Sequence, residues 1–158
     1  KTGAIIAVER SIKIGEYAQS GTILNSDISA RLLQTVFYNM TPLHDGAVII
    51  REGRVFAAGC NLPLTQNTEP IKDLGTRHRA ALGMSEISDA LIIIVSKETG
   101  TISMATGGLL KQDLAPQMLE RLLRNELMPE NSEEEQNPVL RLKQKLLKNG
   151  KGDGRDAK

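Results

Sequence analysis

The sequence has 158 residues, and its 20 lysine and arginine residues nearly balance 19 aspartate and glutamate residues, which leaves a formal net charge of +1. This balance argues against a nucleic-acid polymer as partner, and two tyrosines with two phenylalanines offer little for base stacking. One cysteine excludes an internal disulfide and a CxxC zinc site, and no apolar run in this sequence reaches the roughly 20 residues of a membrane span.

The first half of the chain predicts a strand, a helix and a hairpin. The apolar run Ala4–Val8 is typical of a buried strand. Ser26 is a candidate N-cap for a helix over residues 27–39, which Pro42 helps to end. Four apolar side chains follow this helical spacing: Ile28, Leu32, Val36 and Met40. Two further apolar runs, residues 47–50 and 55–60, flank the turn Glu52-Gly53 and predict a β-hairpin.

The second half predicts a helix over residues 75–87 and a last helix over 115–127, with Pro116 in its first turn. Between them it predicts a hairpin of strands 91–95 and 101–106 and a short strand after Gly107-Gly108. Leu91–Val95 is the most apolar run and is expected to be the central strand. The order of these elements predicts an α/β fold, a mixed sheet flanked by helices in a single domain over residues 1–128.

The last thirty residues, 129–158, have a different character, with an acidic stretch between Pro129 and Pro138 and a basic stretch after it. We expect a charged, flexible tail or linker. A short amphipathic helix over residues 139–148 that binds a partner or a membrane surface is the alternative.

Three segments carry polar residues suited to chemistry. In the first, His44-Asp45-Gly46-Ala47, the carboxylate of Asp45 precedes a strand, and Gly46 lets a ligand approach the backbone. Asp45 is a candidate general base or metal ligand, and His44 a candidate metal ligand or hydrogen-bond donor. From these residues alone, an ordinary Asp-Gly turn is the favoured alternative.

The second segment, Gly75-Thr76-Arg77-His78-Arg79, opens a predicted helix whose free N–H groups favour an anion. Two guanidinium groups and a hydroxyl suit phosphate, although side chains two positions apart do not share a helix face. The third segment follows Leu91–Val95, where Ser96 could hydrogen-bond a phosphate and Glu98 could help to hold a cation. A hairpin turn with solvated charges is the alternative for that segment.

Familiar nucleotide and hydrolase motifs are missing from the sequence, including the P-loop, the G-x-S-x-G elbow and the kinase set. Asp45-Gly46-Ala47, followed thirty residues later by Gly75-Thr76-Arg77-His78-Arg79, instead resembles the paired DGA and RHR motifs of diadenylate cyclase (DAC) domains. The resemblance covers residues 1–127 and extends to Asn61-Leu62-Pro63-Leu64. It is closest to the membrane-anchored type, which implies that membrane helices precede this cytosolic domain in a bacterial plasma-membrane protein.

The resemblance implies that two ATP molecules are condensed into cyclic di-AMP, with release of two pyrophosphates, across two domains that face each other as a homodimer. It assigns activation of the 3′-hydroxyl to Asp45 within the Asp45-Gly46-Ala47 motif. Triphosphate binding falls to Gly75, Thr76 and the Arg77-His78-Arg79 motif, with Ser96 and Glu98 near the terminal phosphates. Leu62 would line the adenine pocket.

The resemblance further implies Mn²⁺ or Mg²⁺, with Co²⁺ as another candidate, held with the help of His44 and Asp45. It implies a regulatory membrane protein and a phosphoglucosamine mutase as partners. Asn61 departs from the family pattern, because many relatives have an aromatic residue there, and Lys97 replaces a residue that is often acidic. A non-catalytic adenine-nucleotide-binding module remains the competing hypothesis.

Overall fold

The structure, a computed structural model, describes residues 1–67 and 74–128. Seven strands form one sheet in the spatial order β2-β4-β3-β1-β5-β6-β7. Only β1 and β3 pair in parallel among the described strands, and the other pairs are antiparallel. The strands are β1 Ala4–Val8, β2 Thr22–Asp27, β3 Ala47–Arg51, β4 Arg54–Cys60, β5 Leu91–Val95, β6 Ile102–Thr106 and β7 Leu109–Leu114. The predicted α/β class with a mixed sheet is confirmed.

Three α-helices accompany the sheet: α1 Ala30–Phe37, α2 Thr76–Ile87 and α3 Pro116–Leu127. A 3-10 helix over Gly15–Ser20 connects β1 to β2. The predicted helices at 75–87 and 115–127 are confirmed, as are both hairpins. Residues Lys1–Ala115 form one compact unit, and α3 belongs to a second unit that begins at Pro116.

The two faces of the sheet carry separate hydrophobic clusters, because successive strand residues point to opposite sides. On one face Val48 packs with Val36 and Phe37 of α1. On the other face Ile49 packs with Ala81 and Met84 of α2. Helix α2 thereby packs against the sheet, where it contacts β1, β5, β6 and β7.

Two predictions from the first half of the chain were wrong. Residues 22–27 form β2, so Ser26 lies in a strand and does not cap a helix. The N-cap is Ser29, whose hydroxyl accepts a hydrogen bond from the backbone N–H of Leu32 at 3.1 Å. The helix ends at Phe37, so Met40 lies beyond it and is 85% exposed.

The prediction that β5 is the central strand was wrong by one position. The middle strand of the seven is β1, and β5 lies between β1 and β6. Both strands lie inside the sheet. An apolar run indicates that a strand is buried, but it does not indicate the order of the strands.

The predicted domain boundary at residue 128 coincides with the end of the described residues and stays a prediction. The tail 129–158, with its predicted helix over 139–148, lies outside them. Within residues 1–67 and 74–128, no helix has the length and apolar character needed to cross a membrane.

Candidate functional site

Two neighbouring cavities flank the first turn of α2. The first has a volume of about 320 Å³ and the second of about 420 Å³. Thr76 and Arg77 line both of them. The two cavities therefore meet at the start of α2, and the first has the more apolar lining of the two.

The first cavity, which we call the DGA cavity, is built around the segment that enters β3. Asp45, Gly46 and Ala47 of the first predicted segment line it together with Leu62. Asp45 is exposed, so its carboxylate is accessible to a ligand. Sequence reasoning did not find its other apolar walls, which come from distant parts of the chain: Ile5, Cys60, Leu64 and Ala80.

Close backbone packing explains the glycine of the DGA segment. Gly46 has φ of +101°, a conformation that side chains disfavour. A Cβ atom there would lie 2.7 Å from the carbonyl carbon of Gly59 and 2.9 Å from the carbonyl oxygen of Cys60. Gly46 thus lets the chain enter β3 against β4 and leaves Asp45 at the cavity wall.

Cys60 contributes a buried thiol to the DGA cavity. Desolvation by burial raises the pKa of Cys60 to about 11. The thiol is therefore protonated at neutral pH and behaves as a small apolar wall.

The second cavity, which we call the phosphate cavity, joins the other two predicted segments. Gly75, Thr76, Arg77 and His78 line one side of it. Ser96 and Glu98, with Lys97, Thr99 and Thr101, come from the β5–β6 connection. The structure thus brings these predicted residues into one polar site.

The helix start itself favours an anion. Gly75 is the N-cap of α2 and has no side chain to satisfy the N–H groups of the first turn. The first turn carries no acidic residue, while Arg77 adds positive charge there. The helix dipole and the guanidinium therefore act together on a bound anion.

His78 lies behind this helix start and is 8% exposed. Desolvation by burial lowers the pKa of its imidazole below the ordinary value of 6.5. The ring is therefore neutral at pH 7, so it can serve the phosphate cavity as a hydrogen-bonding group but adds no positive charge there.

Two polar residues of β7 line the phosphate cavity and were missed by sequence reasoning. They are Gln112 and Asp113. The pairing of β6 with β7 shifts register between Ile102 and Met104, and Asp113 has φ of +53°. Such a β-bulge turns side chains away from the regular alternation of a strand. No local motif in the sequence marks this bulge.

Two predicted site residues line neither cavity. Arg79 follows Arg77 by two positions and points elsewhere, and its carbonyl oxygen accepts a hydrogen bond from the N–H of Thr65 at 3.0 Å. The Nδ1 atom of His44 lies 2.6 Å from the carbonyl oxygen of Thr41. That contact places the proton on Nδ1 and leaves Nε2 unprotonated when the ring is neutral.

The described residues suit a divalent cation only when a ligand supplies further oxygen atoms. Within the described ranges, no group of three or more His, Cys, Asp or Glu side chains could hold a metal ion. Asp45 offers one accessible carboxylate at the DGA cavity. This donor set fits a cation that phosphate oxygens and water hold in part, which is common for Mg²⁺.

Comparison with known proteins identifies the family. The family model described as "DisA bacterial checkpoint controller nucleotide-binding" (DAC) matches residues 1–110. This chain belongs to the DAC family. The resemblance carried by the DGA and RHR motifs is thereby confirmed.

Several curated DAC relatives resemble the chain. Cyclic di-AMP synthase CdaA of Bacillus subtilis is 45% identical over 126 residues, which cover 80% of the chain and 46% of the relative. Diadenylate cyclase CdaS of Bacillus thuringiensis is 51% identical over 110 residues, covering 70% of the chain and 55% of the relative. The chain spans about half the length of the curated relatives that it matches.

Solved DAC structures share the fold. A double mutant of DacA from Staphylococcus aureus matches with a TM-score of 0.78 and 43% identity, covering 80% of this chain and 85% of that one. A hypothetical membrane-spanning protein from Bacillus cereus matches with a TM-score of 0.69 and 49% identity, covering 72% and 55%.

Proposed function

We propose that this chain is a diadenylate cyclase domain, a nucleotidyltransferase that converts two ATP molecules into cyclic di-AMP and two pyrophosphates. One observation carries the proposal: the DGA cavity and the phosphate cavity meet at Thr76 and Arg77. An ATP molecule has the same two-part character, an apolar base and a charged triphosphate. Its α-phosphate would lie where the cavities join.

The proposed placement gives each wall a role. Leu62 and the other apolar walls of the DGA cavity contact the adenine, and Asp45 lies near the ribose. The helix start at Gly75 and Thr76 donates N–H groups to the phosphates. Ser96 and Glu98 line the far side of the phosphate cavity, which corresponds to the terminal phosphates.

The reaction then follows from these placements. The 3′-oxygen of one ATP bonds to the α-phosphorus of the other, and the bond from that phosphorus to the departing pyrophosphate breaks. The Asp45 carboxylate accepts the 3′-hydroxyl proton. Arg77 lies beside the bond that breaks and stabilises the charge that grows on the pyrophosphate. A second such step closes the ring.

A divalent cation, Mn²⁺, Mg²⁺ or Co²⁺, would neutralise phosphate charge when bound. Asp45 at the DGA cavity and Glu98 at the phosphate cavity are accessible carboxylates that would hold it. The Nε2 atom of His44, which lines neither cavity, is a further candidate. Residues 1–67 and 74–128 offer no larger ligand cluster, so the nucleotide itself completes the coordination.

One ATP per domain requires two domains for the reaction. Each 3′-hydroxyl must reach the α-phosphorus bound by the other domain, and a two-fold arrangement lets both steps occur in one assembly. The family resemblance also supports a protein anchored in the plasma membrane of a bacterium, with a regulatory membrane protein and a phosphoglucosamine mutase as partners.

The test is to incubate the protein with ATP and Mn²⁺ and to separate the products by chromatography. We expect cyclic di-AMP from the natural chain. Asp45→Asn should reduce product formation by about 100-fold or more, because it removes the base, and should retain ATP binding in calorimetry.

The control is Asp27→Asn, which changes an exposed carboxylate on β2 that pairs with Arg54. ATP binding without any product would favour the non-catalytic nucleotide-binding module, and normal turnover by Asp45→Asn would remove Asp45 from this role.

A further inference from the structure

Gly3 lies buried immediately before β1, against the side chain that joins the two cavities. A Cβ atom at Gly3 would lie 3.1 Å from both Cζ and Nη1 of Arg77. It would also lie 2.9 Å from Cβ of Lys97. The Arg77 guanidinium therefore rests on the backbone of Gly3, in space that any side chain at this position would occupy.

The Arg77 side chain is half-buried. Its Nε atom is buried and has no hydrogen-bond partner among the described residues. A long side chain without such a bond retains several rotamers of similar energy. Packing against Gly3 is thus one contact that restrains the guanidinium at the junction of the cavities.

The backbone beneath this contact is fixed on both sides. Ala4, the residue after Gly3, pairs with Val95 in the β1–β5 ladder. Lys97 follows Val95 by two residues, and Lys1 reaches the carbonyl oxygen of Glu98 with its Nζ at 3.2 Å. An added methyl group at Gly3 would therefore press on Lys97 Cβ, which the backbone holds, and on the end of the Arg77 side chain, which can move.

We propose that Gly3 is a positioning residue, which places the Arg77 guanidinium between the DGA cavity and the phosphate cavity. This inference rests on the proposed function for its effect on catalysis. Its effect on the position of Arg77 is independent of that function. In the proposed reaction, the guanidinium lies beside the bond that breaks, so a displacement weakens transition-state stabilisation more than binding of ATP.

The test compares Gly3→Ala with Gly15→Ala. Gly15 opens the 3-10 helix and lines neither cavity. A Cβ atom there would lie 3.0 Å from Nη1 of Arg51, so the control substitution also displaces a guanidinium. We expect Gly3→Ala to lower kcat about 10- to 100-fold with a smaller change in KM. Gly15→Ala should keep the kcat of the natural chain.

A double-mutant cycle tests whether the effect passes through Arg77. In an Arg77→Gln background, Gly3→Ala should change kcat little further, because the displaced group is already gone. An equal loss in both backgrounds would overturn the proposal, since Gly3 would then act through another part of the fold.

A spectroscopic measurement keeps the proposal separate from the proposed function. The Nε–H resonance of Arg77, assigned by its loss in Arg77→Gln, should shift in Gly3→Ala and stay in place in Gly15→Ala. If the natural chain forms no cyclic di-AMP, the proposed function fails while this arm still tests Gly3. An unchanged Arg77 resonance in a folded Gly3→Ala protein would overturn the proposal.

Discussion

His78 lies between two arginines in the sequence, but in the fold its imidazole does not share their positive charge. Arg77 and Arg79 flank it in the chain, but His78 is only 8% exposed. Burial disfavours the charged imidazolium and lowers its pKa. The RHR motif therefore combines permanent charge with one neutral ring.

The lowered pKa of His78 makes a prediction about stability and pH. Because the folded pKa lies below the ordinary 6.5, the unfolded chain takes up the proton more readily. The stability that the neutral ring permits is complete above about pH 6.5 and is lost as the pH falls through the folded pKa. The free energy of unfolding of the natural chain, measured in urea, should therefore fall between pH 7.5 and pH 5.5. That of His78→Gln should fall less over the same range. The difference between the two proteins isolates residue 78, and equal losses would contradict the prediction.

At the scale of elements, the region between β1 and β3 shows where sequence patterns mislead. Ile28, Leu32 and Val36 have helical spacing, yet Ile28 precedes the helix and is 45% exposed. Strand β2 was missed because its side chains are mostly exposed at the edge of the sheet and show no clear alternation. Both Ser26 and Ser29 suit an N-cap, and only tertiary pairing of Ser26 with Val55 decides between them.

Substitution of the two serines tests this assignment. Ser29→Ala removes the hydrogen bond to the Leu32 N–H and should lower the free energy of unfolding by about 1 kcal/mol. Ser26→Ala should leave it unchanged or raise it, because the Ser26 hydroxyl is buried without a partner among the described residues. Urea unfolding of both variants measures the difference. The opposite order of stabilities would contradict the assignment of the cap.

The candidate site was predictable to the extent that its residues lie in short segments. The DGA segment and the start of α2 each bring several site residues together within five positions, so local patterns reveal them. Gln112 and Asp113 reach the phosphate cavity only through a bulge in β7. Gly3 matters through a contact with Arg77, far along the chain. Such contacts depend on the register of the sheet, which sequence periodicity does not specify.

At the scale of the compact unit Lys1–Ala115, one helix connects both cavities. Gly83 of α2 packs so closely that a Cβ atom there would lie 2.1 Å from the carbonyl oxygen of Pro63. Thr65 donates its hydroxyl to Glu86 of the same helix at 2.6 Å. The segment that carries Leu62 is thus fixed to the helix whose start lines the phosphate cavity. In the proposed reaction, this contact would set the distance between the walls that hold the two parts of ATP.

The pairing of two such units is the last property that the proposed reaction requires, and mixing experiments test it. Natural chain and Asp45→Asn are mixed in varying ratio at constant total concentration, and cyclic di-AMP is measured. If both domains of a pair must act, only pairs of two natural chains form product. An equal mixture should then retain about a quarter of the activity, because random pairing places two natural chains together in that share of pairs.

The control replaces Asp45→Asn by Asp27→Asn. The mixture should then keep its full activity, since the natural chain and Asp27→Asn are both competent. Retention of about half the activity with Asp45→Asn, in proportion to the natural chain, would mean that each domain acts alone and would contradict the face-to-face arrangement.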